Sequence, residues 1–314
     1  MYMIAFVFPG QGSQYVGMGE DLFDAFPEAR RTFEEASDVL GFDLTRLCFG
    51  GDPGELALTS NAQPAILTHS VAALRALKAH TVLGASYMAG HSLGEFTALV
   101  ATGALGFGDA VRVVRMRGEF MQQAVPPGVG AMAAVLGTLD SSIYEICAEG
   151  CHESSFVSPA NFNAPGQVVI SGHKEAVERA GEIAKSRGAR RVVHLDVSAP
   201  FHCKLMNSAA ERLSEVLDEV EVGALDVPVV TNVEAEPNTD SSRVKHLLYE
   251  QVSNPVMWDR SVVKMSQLGV DDFVEIGPGG VLEGLIKRTV KGSRVTGVEK
   301  AEHIEGIKRN GLQR

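Results

Sequence analysis

Strand-like and helix-like runs alternate at both ends of this chain and cease to alternate in its middle. Short apolar runs read as strands over 4–8, 87–90, 227–231, 273–276 and 294–298. Between them, helical periodicity over 64–78 puts Ile66, Leu67, Val71, Leu74 and Leu77 on one stripe. Further helices are expected over 93–101, 260–267 and 281–288. This order predicts an α/β fold, because parallel strands need crossovers and a helix fills that role on either face of the sheet.

The interruption begins at Pro126-Pro127-Gly128, a strong breaker. After it the pattern predicts a strand over 131–136, a helix over 141–148, strands over 156–161 and 167–170, a helix over 174–185 and a strand over 191–195. Asn163-Ala164-Pro165-Gly166 is expected as a hairpin loop between the middle strands. That β-α-β-β-α-β order is the ferredoxin-like motif. We therefore expect a small domain over 128–196, inserted into a large α/β domain made of 1–127 and 197–314. The polar end, 302–314, reads as a flexible tail.

Composition excludes several classes. Thirty-nine acidic against 28 Lys and Arg side chains give a net charge of −11, opposite to the basic face of a nucleic-acid binder. Four cysteines are too few for a disulfide framework, so a reducing, cytoplasmic setting is expected. No run approaches a membrane span, and apolar 1–8 lacks a basic lead and enters Pro9-Gly10 directly, so it reads as a first strand and not a signal peptide.

Chemistry concentrates in few places. Gly90-His91-Ser92-Leu93-Gly94 lies between a strand and a helix, where glycines permit the sharp turn that exposes a serine hydroxyl beside helix N–H groups. Ser92 could instead cap that helix, with Glu95 completing a capping box. A serine nucleophile needs a base. His202 follows a strand within Ser198-Ala199-Pro200-Phe201-His202, and His91 is its rival. In a helix over 110–121, Arg117 shares a stripe with Ala110, Val113, Val114 and Met121, while Arg112, Arg115 and Glu119 face away. A cation on an apolar face needs an anion, either an internal carboxylate or one that arrives with a substrate. Gly10-Gln11-Gly12 fails the dinucleotide fingerprint, since Tyr15 occupies the third glycine position, but it can present the Gln11 backbone N–H. Cys147, Cys151 and His152 lack a second ligand cluster, so no metal is expected.

Taken together, the chain resembles the malonyl-CoA:acyl-carrier-protein transacylases, in order and over nearly its whole length. The motifs that carry the likeness are Phe8 to Gln14, Gly90 to Glu95, Arg-x-Arg-Gly around Arg117, and Ala160 to Gln167. They continue with Pro200-Phe201-His202, Gln251 with Pro255-Val256-x-Trp258, and Glu275 to Gly279. The resemblance implies an α/β-hydrolase-like core with a ferredoxin-like insertion. It implies Ser92 as nucleophile, His202 as base oriented by the Gln251 carbonyl, and Gln11 and Leu93 N–H groups as oxyanion hole. Arg117 would bind the malonyl carboxylate, with Phe201, His91, Met121 and Asn161 around the acyl group. Ala199 and Cys203 replace a common Gly and Ser beside the base. The implied substrates are malonyl-CoA and acyl carrier protein, the implied state a monomer, with no cofactor. An acidic carrier is expected to meet Lys185, Arg187, Arg190, Arg191, Lys287, Arg288 and Lys291 flanking the cleft. A trans-acting polyketide acyltransferase, a serine hydrolase and a non-catalytic carrier-binding module stand as alternatives.

Overall fold

The computed structural model describes residues 3–312, and the first two residues of the expected N-terminal strand lie outside that range. Ten strands occur among the described residues: β1 (Met3–Phe8), β2 (Tyr87–Gly90), β3 (Gly130–Leu136), β4 (Val157–Ala164), β5 (Gln167–His173), β6 (Arg191–His194), β7 (Val229–Val230), β8 (Pro237–Asn238), β9 (Val270–Ile276) and β10 (Arg294–Val298). Six of them form one sheet in the order β10-β9-β1-β2-β7-β8, parallel except for the edge pair β7–β8. This is an α/β fold with a parallel-sheet core. The strict alternation of β1 explains its central place. Phe6 and Phe8 enter the core under the helix Thr59–His80, while Ala5 and Val7 face the opposite core with Val230, Trp258 and Phe273.

A second, antiparallel sheet runs β4-β5-β3-β6. The helices Ile143–Gly150 and Lys174–Ser186 supply Ile146, Val177 and Ala180 to one of its faces. The other face carries Met132, Ala160 and Val169 into the large core. Val256 stitches β4 to the parallel-sheet unit through two backbone bonds, with Ala160 O and Phe162 N.

Three expectations need correction. The helix expected over 64–78 spans Thr59–His80, with Pro64 inside it. Proline removes the N–H that Ser60 O would accept, and Arg115 Nη1 fills that place from a neighbouring helix at 3.0 Å. The expected loop 163–166 shrinks to a two-residue turn, because β4 continues to Ala164 and Gly166 takes φ 71°. The tail is not loose where it is described: Ala301–Asn310 is a helix that buries Ile304 and Ile307. Among the described residues no helix is long and apolar enough to cross a membrane.

Candidate active site

Parallel strands deliver their following loops to one edge of a sheet, and three such loops meet here, after β1, β2 and β9. The turn after β2 is the tightest. A Cβ on Gly90 would strike the Gly94 backbone, and one on Gly94 would strike Phe8 O. Between these glycines Ser92 holds φ 52°, ψ −106°, a conformation that costs a non-glycine residue about 1–3 kcal/mol. Its side chain does not cap the helix Leu93–Ala101, so the capping-box alternative fails.

The hydroxyl instead meets His202. Ser92 Oγ lies 2.8 Å from His202 Nε2, and His202 Nδ1 lies 2.8 Å from the backbone carbonyl of Gln251. That carbonyl can only accept, so Nδ1 carries the proton and Nε2 presents a lone pair to the serine. Burial, with the Arg117 guanidinium second, pushes the imidazole down to about 3, so it is neutral near pH 7. His202 itself takes φ 57°. His91 turns elsewhere: its Nε2 is 2.8 Å from Asn163 Oδ1, tying the elbow to β4.

Arg117 is 2% exposed, on the stripe that helical spacing assigned to it. No carboxylate pairs with it among the described residues. Its Nη1 donates to Gln63 Oε1 at 2.8 Å, and its Nη2 to Gln251 Oε1 at 2.9 Å and Ser92 Oγ at 3.1 Å. Its Nε–H has no partner. Burial lowers its pKa to about 10, which leaves the cation intact, and Glu95 works against that shift from a distance. Its hydrogen-bond partners are thus all neutral, and one donor is unused.

A cavity of about 380 Å³ opens over these atoms, lined by Gln11, His91, Ser92, Arg117, Met121, Asn161, Phe201 and His202 among others. Leu93 and Gln251 are buried behind its wall. The backbone N–H groups of Gln11 and Leu93 have no hydrogen-bond acceptor among the described residues. Gln11 is anchored by its side chain, which donates to Thr59 Oγ1 at 3.0 Å. Cys203 points away from the chemistry: its Sγ donates to Pro200 O, and burial pushes the thiol up to about 11.

Sequence reasoning missed the brace behind Ser92. Asn232 Oδ1 accepts the Ser92 N–H at 2.7 Å, and its Nδ2 donates to Gly90 O at 2.6 Å. Its position just past β7, at the edge where the other loops converge, was the available signal. Four of the basic residues expected at the cleft have partners in the structure. Arg191 pairs with Leu136 at the end of β3 remote from cavity-lining Met132, and Lys185, Arg187 and Lys287 are ion-paired with Glu182, Glu149 and Glu283.

The acyl transferase domain family model matches residues 5–313. A malonyl CoA-acyl carrier protein transacylase of Bacillus subtilis is 48% identical over 97% of this chain and 96% of its own length. One from Escherichia coli O157:H7 is 51% identical over 92% and 94%. A solved type II polyketide synthase acyl-carrier protein in complex with its malonyl-transacylase superposes with a TM-score of 0.95 at 46% identity, over 98% of this chain and 99% of that one. With a half-buried serine, a neutral histidine and a buried cation without a carboxylate partner sharing one cavity, the chain belongs to the acyl transferase domain family, among its malonyl CoA-acyl carrier protein transacylases.

Proposed function

We propose that this chain moves a malonyl group from malonyl-CoA to the phosphopantetheine thiol of an acyl carrier protein, in fatty acid biosynthesis, by way of a malonyl ester on Ser92. His202 Nε2 takes the hydroxyl proton as Ser92 Oγ attacks the thioester carbonyl, then returns it to the departing CoA thiolate. Gln11 and Leu93 N–H groups receive the developing oxyanion. In the second half the carrier thiol attacks the ester and His202 repeats its role in reverse order. Asn232 holds the elbow, and Phe201, His91, Met121 and Asn161 enclose the acyl chain.

The single observation that carries this reading is Arg117, a buried cation 3.1 Å from the Ser92 hydroxyl with only neutral acceptors. A plain serine hydrolase has no use for it, and would back its histidine with a carboxylate, not the Gln251 carbonyl. The polyketide alternative uses the same acylation chemistry and differs in the carrier that discharges it. We further read the four-stranded unit, 128–196, as a ferredoxin-like insertion in a hydrolase-like core, and the enzyme as a cytoplasmic monomer. Four free cysteines fit a reducing compartment.

Intact-mass measurement after mixing with acyl-CoAs tests the reading. The natural chain should gain one malonyl group and Ser92→Ala none. Arg117→Ala should lose about a hundredfold in malonyl acylation while acetyl acylation is unchanged or faster. Equal losses for both acyl groups with a fallen melting temperature would return Arg117 to a structural role.

A further inference from the structure

Glu95 is a buried carboxylate that the chemistry above does not use. It stands in the first turn of the helix after Ser92, 2% exposed, and burial raises its carboxyl to about 7. Its Oε2 accepts from Gln251 Nε2 at 2.8 Å and from the Asn232 backbone N–H at 3.0 Å. The same Gln251 Nε2 donates to Ser92 O at 3.0 Å, and Gln251 Oε1 accepts from Arg117 Nη2 at 2.9 Å.

A primary amide in a buried site can be turned over, exchanging its donor and acceptor ends with little change of shape. One end of Gln251 faces Arg117, which has only donors, so the other end must face groups that only accept. Ser92 O and an ionised Glu95 are both such groups. We propose that Glu95 is a positioning residue for Arg117. By holding the Gln251 NH2 group, it fixes the amide oxygen against Nη2 and so aims the guanidinium at the cavity. The specificity for a carboxylated acyl group thus depends on a carboxylate that never touches it. The inference rests on the Arg117 reading given above.

Three variants test it, with malonyl and acetyl loading of Ser92 measured separately. Glu95→Leu should cut malonyl acylation about tenfold or more while acetyl acylation changes by less than about threefold. Glu95→Gln should keep most of the malonyl rate, because its amide oxygen can accept from the same two donors. Gln251→Leu keeps the backbone carbonyl behind His202 but removes the bridge, so, whatever it costs acetyl acylation, it should lower the malonyl-to-acetyl ratio about as far as Glu95→Leu does. The double variant Glu95→Leu/Gln251→Leu should be no worse than the poorer single one, since both break one relay.

Parallel loss of both acyl groups in Glu95→Leu, or additive losses in the double variant, would overturn the proposal. So would a fall in Glu95→Gln as deep as in Glu95→Leu, which would assign the effect to charge. If Glu95→Leu does not fold, Gln251→Leu still decides, because an unchanged malonyl-to-acetyl ratio there removes the relay. The underlying reading fails separately, through absence of malonyl on Ser92 in the natural chain.

Discussion

Two strand-to-helix turns stand on the same edge of the parallel sheet and are built for opposite ends. The turn after β9, Gly277-Pro278-Gly279-Gly280, uses glycine wherever φ is positive: 142°, 88° and 59° at its three glycines. In its helix, Val281–Thr289, the second and third N–H groups go to a carboxylate, because Glu275 accepts from Leu282 N at 2.9 Å and Glu283 N at 2.8 Å. The turn after β2 places a serine at positive φ and leaves the Leu93 N–H without an acceptor. One turn relaxes its backbone and gives a buried carboxylate to its helix end; the other keeps the strain and closes the same positions with its own carbonyls, Gly94 N on His91 O at 2.9 Å and Glu95 N on Ser92 O at 3.1 Å. A sequence pattern of glycines after a strand is common to both. What separates them is whether something else in the chain satisfies the helix.

The largest break in that comparison comes at Ser92. Ser92→Gly should lose acylation by roughly a thousandfold or more, as any loss of the nucleophile does. Unlike Ser92→Ala, it should also gain about 1 kcal/mol of stability, because glycine adopts φ 52° without cost. Thermal melts of the two variants side by side check this, and a glycine variant no more stable than the alanine one would mean the elbow is unstrained.

A smaller effect belongs to the filled turn. Burial raises the Glu275 carboxyl to about 7, so the folded chain binds a proton that the unfolded chain has released above the ordinary carboxylate range. Stability from this group is therefore present at low pH and lost as pH rises toward 7. Glu275→Gln should leave acylation within about twofold, its helix lying outside the chemistry, while removing that pH dependence. Melting temperatures of both proteins from pH 5 to 8 should converge toward pH 5 or cross; parallel curves would refute the assignment.

The smallest expected change is an absence of one. With His202 held near 3 by burial and Arg117, malonyl acylation should show no acid limb at the ordinary histidine value near 6.5. A limb there in kcat/KM for malonyl and acetyl acylation alike would show an imidazole better solvated than its place in the cavity wall implies, whereas a limb for malonyl alone would belong to Glu95.

Much of the site was legible because side-chain periodicity reports burial directly. Arg117 announced itself as a cation on an apolar stripe, and Ser92 as a polar residue trapped between two glycines. Asn232, Gln63 and the side-chain half of Gln251 were not legible, since a neutral polar residue on a helix or beyond a two-residue strand violates no pattern. Their roles come from contacts across 142, 54 and 134 residues of chain, where no local spacing reaches. The same reasoning explains the fold-level misses. Ala301–Asn310 buries only Ile304 and Ile307 firmly, too thin a stripe to outweigh its charged residues, and the start of the helix Thr59–His80 was hidden by a proline whose missing donor comes from Arg115.

The four-stranded sheet between the two halves of the parallel-sheet unit bears on how the chain finds its native state. Ser92 and His202 are 110 residues apart, and Ser92 and Gln251 are 159 apart, so bringing them together closes long loops. Within that sheet, however, β3 and β6 pair side by side, with Ala133 opposite His194. Once that pairing forms, the chain leaving the helix of Arg117 and the chain entering His202 start from neighbouring points. The remaining search is then short, because closure entropy follows the residues still free and not those already ordered. The four-stranded sheet acts as a staple in time: once β3 and β6 are paired, the residues between Ala133 and His194 no longer count in the loop that separates Ser92 from His202.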